Sequence, residues 1–175
     1  MSGPADDPHR ITHIDALEAC YGAVSERSRD KVSERLLAEH REFIERAGFC
    51  VIASSGTHSL DCSPRGDAPG KAFLILDDQR IAFPDRRGNN RIDTLRHLID
   101  DSRVAMLFLT RGTEQALRVR GDAHITVDPE MLTLFTLDDE QPRTVIVVQV
   151  SGVLLQNTRA IRRSRLWQPP LDSNP

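Results

Sequence analysis

The spacing of hydrophobic residues along the chain changes at about residue 48. Before this point one face repeats at the three- and four-residue intervals of a helix: Leu36, Leu37, His40, Phe43 and Ile44. Ser33 is a common residue type at helix N-caps and Gly48 is one that ends helices, so the pattern predicts a helix from Ser33 to about Ala47. The polar residues further upstream, with an apolar group beginning at Ile14, predict a tail with a short helical segment over residues 1–32.

After residue 48 the hydrophobic period is that of β-strands. Alternating or β-branched runs predict strands over residues 49–55, 60–65, 71–76, 80–83, 104–109, 116–127 and 144–155. The run 104–109 is apolar at every position, which is typical of a strand buried on both faces. Two helices are predicted between strands, one ending near Asp101 and a short one opened by Pro129, and Asn157 is predicted to cap the C-terminal segment.

Six or seven strands with a few helices in their connections indicate a mainly β (α+β) fold. A closed or partly closed antiparallel barrel is the architecture that such a pattern favours. No repeat or linker interrupts the strands, so we expect one barrel domain over residues 33–170 and a short tail over residues 171–175.

Composition argues against several classes of partner. The 175 residues carry a net charge of -3 and are 5% aromatic, whereas nucleic-acid binding needs a basic face or aromatic rings for stacking. No apolar run approaches the length of a membrane span and the N-terminus is polar, so we expect neither a membrane partner nor a signal peptide. Three cysteines without C-x-x-C spacing fit a reduced, cytoplasmic protein, and six scattered histidines predict no metal site.

The segment 83–91 holds the most informative polar residues, because arginines surround a Gly-Asn-Asn turn and a helical pattern follows directly. Glycine and asparagine tolerate left-handed backbone angles, so the turn can direct successive N–H groups into one concavity. A helix N-terminus adds unpaired N–H groups, and arginine adds bidentate donors. Together these features describe a phosphate site, and the alternative is an ordinary capped helix with solvated arginines.

Three further groups of residues could contribute to a site. Asp61, Ser63 and Arg65 alternate along one strand and share a face, which is either a site for a phosphate or polar ring edge or a solvated strand face. Arg118 lies on the polar side of its strand, where a surface salt bridge is the common alternative. Residues 162–167 form either a solvated basic tail or a surface that packs across an interface. Because P-loop and G-x-G-x-x-G motifs are absent, a nucleotide-like ligand would bind on the barrel.

Four segments of the sequence are similar to those of one known family. They are DCSPRGD at 61–67, FPDRRGNNR at 83–91, LRV at 117–119 with a following glycine, and RSRLW at 163–167. Together they resemble the FMN-binding split-barrel proteins related to pyridoxamine 5'-phosphate oxidase, in particular a bacterial branch with a DCSPRGD strand and a PDRxGNNR turn. The resemblance spans about residues 43–167. It implies a six-stranded Greek-key split barrel with peripheral helices, and a homodimer with FMN in each of two interface clefts.

The resemblance also implies cofactor roles for individual residues. Ser63 and Arg65 are expected along the flavin ring and its ribityl chain. Arg118 is expected to come from the neighbouring central strand. Those expected near the ring edge are Pro84 and Asp85. Those expected around the phosphate are Arg86, Asn89, Asn90 and Arg91. Those expected to approach from the partner chain are Ser164 and Trp167.

The implied function is that of an FMN-dependent oxidoreductase of unknown substrate, with no residue assigned as a catalytic acid or base. The chain has Asn89-Asn90-Arg91 where the oxidase itself has Ser-Arg-Lys, so the resemblance does not extend to pyridoxamine phosphate as substrate. A non-catalytic flavin-binding or sensor protein is one alternative. Another is a deazaflavin- or haem-binding member of the same fold, for which His97 is the one histidine near the cleft motifs.

Overall fold

The fold is described from a computed structural model, in residues 7–21, 31–86, 88 and 90–168. The chain divides into two units, residues 1–31 and 32–175. The first unit contains helix α1 (Ile14–Tyr21), along which the side chains of Ile14, Leu17 and Tyr21 are exposed. The sheet and the remaining described helices belong to the second unit. Among the described residues, no helix is both long enough and apolar enough to cross a membrane.

Seven strands form one antiparallel sheet in the order β2-β1-β5-β6-β7-β4-β3. The strands are β1 (Phe49–Ser55), β2 (Leu60–Gly66), β3 (Leu74–Ile75), β4 (Arg80–Asp85), β5 (Arg103–Leu109), β6 (Gln115–Thr126) and β7 (Thr144–Asn157). The helices of this unit are α2 (Ala38–Arg46), α3 (Asp93–Asp100), α4 (Pro129–Leu134) and α5 (Arg159–Arg163).

The predicted mainly β class is confirmed, but two details of the predicted barrel are not. The sheet has seven strands where the resemblance implied six. Among the described residues no pairing joins the edge strands β2 and β3, so the sheet is not closed. The central strands β6 and β7 have 12 and 14 residues, and their register shifts between Arg120 and Gly121. A Cβ at Gly121 would collide with the carbonyl oxygen of Gln149, so this close approach requires glycine.

The predicted start of the first helix of the domain is wrong. Helix α2 begins at Ala38, because the backbone of Ser33 is instead hydrogen-bonded to Val153 of β7 in both directions, at 2.9 and 2.7 Å. The helix is capped from within its own first turn, where Nδ1 of His40 accepts a hydrogen bond from the N–H of Leu37 at 3.2 Å. A local capping signal was therefore overridden by pairing with a distant strand.

Two other expectations need correction. The strand 104–109 was expected to be buried on both faces, but β5 alternates: Val104, Met106 and Phe108 are buried, whereas Ala105 and Leu107 are exposed. Its inner side chains belong to the core, where the rings of Phe108 and Phe73 meet edge to face at 4.9 Å. Asn157 does not cap the last helix, because β7 continues through it. Thr158 caps α5 instead, by accepting a hydrogen bond from the N–H of Ala160.

Candidate functional site

A polar cavity of about 480 Å³ lies between strand β2, the end of β4, the N-terminus of α3 and the start of β7. Four arginines and three aspartates line it, so its wall carries an excess of positive charge: Arg65, Arg86, Arg91, Arg143, Asp61, Asp85 and Asp93. The other lining residues are Ser63, Gly88, Asn90, Ile92, Thr94, Leu95 and Thr144. The cavity thus brings together six of the residues implied by the resemblance, namely Ser63, Arg65, Asp85, Arg86, Asn90 and Arg91.

Arg65 connects strand β2 to the first turn of α3. Its Nη1 donates to Oγ of Ser63 at 2.6 Å and its Nη2 donates to Oγ1 of Thr94 at 3.1 Å. The Thr94 hydroxyl in turn donates to a carboxylate oxygen of Asp61 at 3.2 Å. The Nε of Arg65 is buried and has no hydrogen-bond partner among the described residues. The guanidinium of Arg65 is thus held in place by side chains of both β2 and α3.

Asp85 is the carboxylate whose surroundings perturb it most clearly within the cavity. Burial raises the pKa of Asp85, and the charges of Arg65 and Arg143 oppose this shift. The distance from Nη2 of Arg65 to Oδ1 of Asp85 is 3.9 Å. Across the β4–β7 ladder Asp85 pairs with Thr144, whose buried hydroxyl has no partner among the described residues. This end of the cavity therefore combines a carboxylate, two guanidinium charges and an unsatisfied hydroxyl.

The sequence pattern predicted left-handed backbone angles in the turn before α3, and some of the described residues there have them. Asn90 has a φ of 59° and Ile92, the N-cap residue of α3, has a φ of 52°. A positive φ is unusual for a β-branched residue and costs conformational energy. Within the described part of the chain no side chain caps α3, so the N–H groups of its first turn are donors that a ligand could use. Asn89 and Arg87 lie outside the described residues.

The arginines of the turn are held by neighbouring carboxylates. Nε of Arg91 lies 2.9 Å from Oδ2 of Asp93. Arg86 has more extensive contacts: Nε and Nη2 lie 3.3 and 3.2 Å from Oδ2 of Asp67, and Nη1 donates to the carbonyl oxygen of Phe135 at 2.7 Å. Arg86 therefore connects the end of β4 to the segment after β2 and to the end of α4.

Four of the residues implied by the resemblance do not line this cavity within a single chain. Pro84 lines a smaller neighbouring cavity of about 200 Å³. Arg118 is exposed on β6, where its neighbours in the ladder are Leu107 and Leu154. Ser164 donates to the carbonyl oxygen of Ile161, and Nε1 of Trp167 donates to that of Thr113 at 2.9 Å.

Arg143, Thr94 and Thr144 belong to the cavity but were not among the predicted site residues. Arg143 contacts the turn directly, since its Nη1 donates to Oδ1 of Asn90 at 3.1 Å. In the sequence it precedes a valine-rich strand and belongs to no motif. Thr94 had a signal, because it follows the PDRRGNNR segment in the first turn of the predicted helix. Arg143 and Thr144 are brought to the cavity by the pairing of β4 with β7, which the sequence does not show.

His97 is a residue of α3 but does not line this cavity. It is 7% exposed, its Nδ1 lies 3.0 Å from Oγ of Ser54, and its Nε2 lies 2.8 Å from Oγ of Ser59. A Cβ on Gly56 would overlap the imidazole ring, so the β1–β2 connection packs directly against it. Both ring nitrogens therefore serve the attachment of α3 to β1 and the β1–β2 connection, and neither is directed to a ligand.

The fold and this cavity define a mainly antiparallel β protein with an arginine-rich site at the N-terminus of a helix. The sequence model of the pyridoxamine 5'-phosphate oxidase family matches residues 36–157, and the chain belongs to this family. The matched range contains every residue that lines the cavity and ends before Ser164 and Trp167. No curated protein sequence matches the chain.

Solved structures show the same fold at low sequence identity. HupZ of Group A Streptococcus is 13% identical, with a TM-score of 0.58, over 70% of this chain and 94% of that one. A provisionally named pyridoxamine 5'-phosphate oxidase of Lactobacillus delbrueckii is 14% identical, with a TM-score of 0.55, over 70% and 95%. A protein of Clostridium acetobutylicum related to general stress protein 26 is 11% identical, with a TM-score of 0.51, over 68% and 86%.

Proposed function

We propose that the chain binds FMN in the arginine-lined cavity and acts as an FMN-dependent oxidoreductase. The observation that carries this proposal is the convergence of Arg65, Arg91 and Arg143 with the uncapped N-terminus of α3 on one cavity. Helix N-termini and guanidinium groups are the usual protein partners of phosphate. Membership of the pyridoxamine 5'-phosphate oxidase family supports a flavin as the phosphate-bearing ligand.

The residues present fit this cofactor in size and in chemistry. The volume of about 480 Å³ is within the ordinary range for small-molecule sites. The hydroxyl and guanidinium groups of lining residues such as Ser63, Arg65 and Arg143 are donors of the kind that a phosphorylated flavin accepts from. His97, the histidine nearest these motifs, has both ring nitrogens occupied by serine hydroxyls, which favours a flavin over haem.

In the proposed complex, Asn90 and Arg91, with Asn89 of the same motif, hold the phosphate at the start of α3. Ser63 and Arg65 extend along the ribityl chain and ring, and Pro84 and Asp85 lie near the ring edge. The flavin supplies the electron transfer, and the protein orients it and sets its electrostatic surroundings. The positive charge of Arg65 beside the ring would favour the negatively charged reduced form.

We further propose that two copies of the chain form a homodimer. The outer face of β5 carries Ala105 and Leu107 exposed to solvent, next to Arg118 on β6. A second copy covering this face would bury the apolar side chains and would bring Ser164 and Trp167 toward the cofactor of its partner. Light scattering should give twice the chain mass. Leu107→Arg should give monomers, whereas Leu134→Arg, at an exposed position of α4, should not.

The test of cofactor binding is a fluorescence titration with FMN and with riboflavin, which lacks the phosphate. We expect one FMN per chain, and riboflavin binding weaker by about 2–4 kcal/mol because its phosphate contacts are missing. Equal affinity for the two compounds would contradict the phosphate site. The absorbance spectrum of the purified protein distinguishes FMN from deazaflavin and haem. Reoxidation of the reduced protein by electron acceptors separates an enzyme from a non-catalytic flavin carrier.

A further inference from the structure

Sequence motifs assign the phosphate to Arg86, but the structure commits the guanidinium of Arg86 to the protein. Its Nε and Nη2 face one oxygen of Asp67, and its Nη1 donates at 2.7 Å to the carbonyl oxygen of Phe135. A phosphate that bound Arg86 through its fork would have to displace a carboxylate and a carbonyl oxygen. Because the exchange would leave the partly buried Asp67 carboxylate and the carbonyl oxygen of the buried residue Phe135 without this donor, it is unfavourable. Arg86 therefore serves to hold three segments together.

Arg143 has the opposite arrangement. Its one hydrogen bond within the described residues uses Nη1, which donates to Oδ1 of Asn90 at 3.1 Å. The rest of its fork has no protein partner in the described part of the chain, and its side chain is exposed. Like Arg86, it lines both the 480 Å³ cavity and a second cavity of about 580 Å³, whose other lining residues are Leu137, Asp138, Glu140, Gln141 and Pro142. What distinguishes Arg143 from Arg86 is therefore its fork, which contacts the turn that opens α3 through a single hydrogen bond.

Arg143 directly precedes a strand of the sheet. The next residue, Thr144, is the first of β7 and pairs with Asp85, the last of β4. The charge of Arg143 also reaches the Asp85 carboxyl, where it opposes the rise in the pKa of that group. Arg143 is therefore held within electrostatic range of the cavity interior while keeping donors for a ligand.

We propose that Arg143 is the residue that gives this site its preference for a phosphorylated flavin, by donating to the terminal phosphate beside Asn90, while Arg86 has a structural role. This inference rests on the proposed FMN binding and adds to it the residue that distinguishes FMN from riboflavin. Asn90 accepts a hydrogen bond from one arm of the Arg143 fork, and the other arms would donate to the phosphate. Lysine at this position would keep the charge and lose the second arm of the fork.

The test is the ratio of FMN affinity to riboflavin affinity in four proteins: the unaltered chain, Arg143→Gln, Arg143→Lys and Arg86→Gln. Arg143→Gln should weaken FMN binding about 10- to 100-fold and change riboflavin binding less than about threefold. Arg143→Lys should retain part of the preference, and the loss caused by Arg143→Gln should shrink as salt is added. Arg86→Gln should lower the unfolding temperature and weaken both ligands by the same factor. Arg111→Gln, in the turn after β5, is the matched control for removing an arginine.

The outcomes separate the two proposals. If the unaltered chain binds FMN no more tightly than riboflavin, the phosphate site is wrong and the role of Arg143 is wrong with it. If the chain prefers FMN and Arg143→Gln keeps the full preference, FMN binding stands and the assignment to Arg143 is refuted. The assignment also fails if Arg86→Gln removes the preference while riboflavin binding and unfolding temperature are unchanged.

Discussion

Replacing Arg65 by methionine tests whether this residue holds the cavity wall together and compensates the charge of Asp85. The guanidinium donates to Ser63 and to Thr94, and it lies 3.9 Å from a carboxylate oxygen of Asp85. The side chains of Arg65 and Asp85 are 21% and 25% exposed, so water screens their attraction only in part. Methionine keeps the apolar packing of the stem and removes the donors and the charge.

The expected loss of stability follows from these contacts. The two hydrogen bonds contribute about 1 kcal/mol each, and the partly screened ion pair contributes about 1 kcal/mol. We therefore expect Arg65→Met to lower the free energy of unfolding by about 2–4 kcal/mol at neutral pH. About 1 kcal/mol of this loss should return in the double variant Arg65→Met, Asp85→Asn, because the uncompensated carboxylate is then absent.

The dependence on pH has a definite sign. The folded-state pKa of Asp85 is raised above its ordinary value of 3.8, so the stability linked to this group is fully present below pH 3.8. It is lost as the pH rises through the folded-state pKa. Removing Arg65 takes away an opposing charge and raises this pKa further. The part of the Arg65→Met defect that involves Asp85 should therefore be present at neutral pH and absent below pH 3.8.

The assay is urea unfolding of four proteins without added flavin: the unaltered chain, both single variants and the double variant. Each is measured at neutral pH and below pH 3.8, and the differences between variants are compared, so that contributions common to all four proteins cancel. A cost of Arg65→Met that is the same at both pH values, together with strict additivity in the double variant, would refute the coupling of Arg65 to Asp85.

Three further predictions concern the sheet, a buried thiol and the turn. Gly121→Ala should destabilise the chain by about 2 kcal/mol or more, seen in thermal unfolding, because the added methyl group collides with a carbonyl oxygen of β7. Burial raises the pKa of the Cys50 thiol to about 12. A thiol reagent at mildly alkaline pH should therefore label the exposed Cys20 rapidly and Cys50 only after unfolding. Equal labelling rates for Cys20 and Cys50 would contradict the packing of β1. Arg91→Ala should weaken FMN binding about tenfold and leave the absorbance spectrum of bound flavin nearly unchanged, so a shifted spectrum with unchanged affinity would place Arg91 at the ring.

Local patterns in the sequence determined most of the secondary structure. The alternation along residues 116–127 corresponds to β6, whose Leu117 and Val119 are buried while Arg118 and Arg120 are exposed. Pro129 opens α4 as predicted, because proline suits the first turn of a helix and Asp128 supplies the cap. These features depend on side-chain periods of two or on residues adjacent in sequence, so a single sequence is enough to predict them.

The sequence also predicted about half of the residues that line the cavity. Ser63 and Arg65 had to share a face of their strand, and the Gly-Asn-Asn turn had to precede a helix. The sequence also indicated the family, which the match over residues 36–157 confirms. FMN binding, the homodimer and the roles of Ser164 and Trp167 stay predictions.

The tertiary structure decided which of these local possibilities are used. Ser33 has the chemistry of a helix cap, but its backbone pairs with Val153, which lies far away in sequence. The β4–β7 ladder aligns Asp85 with Thr144 and so brings Arg143 to the turn, while Asp67 and Phe135 engage Arg86. Strand register and long-range pairing depend on the summed burial of the whole sheet, and no local window contains that sum. For this reason the sequence placed Arg86 among the residues expected around the phosphate and gave no signal that Arg143 lines the cavity.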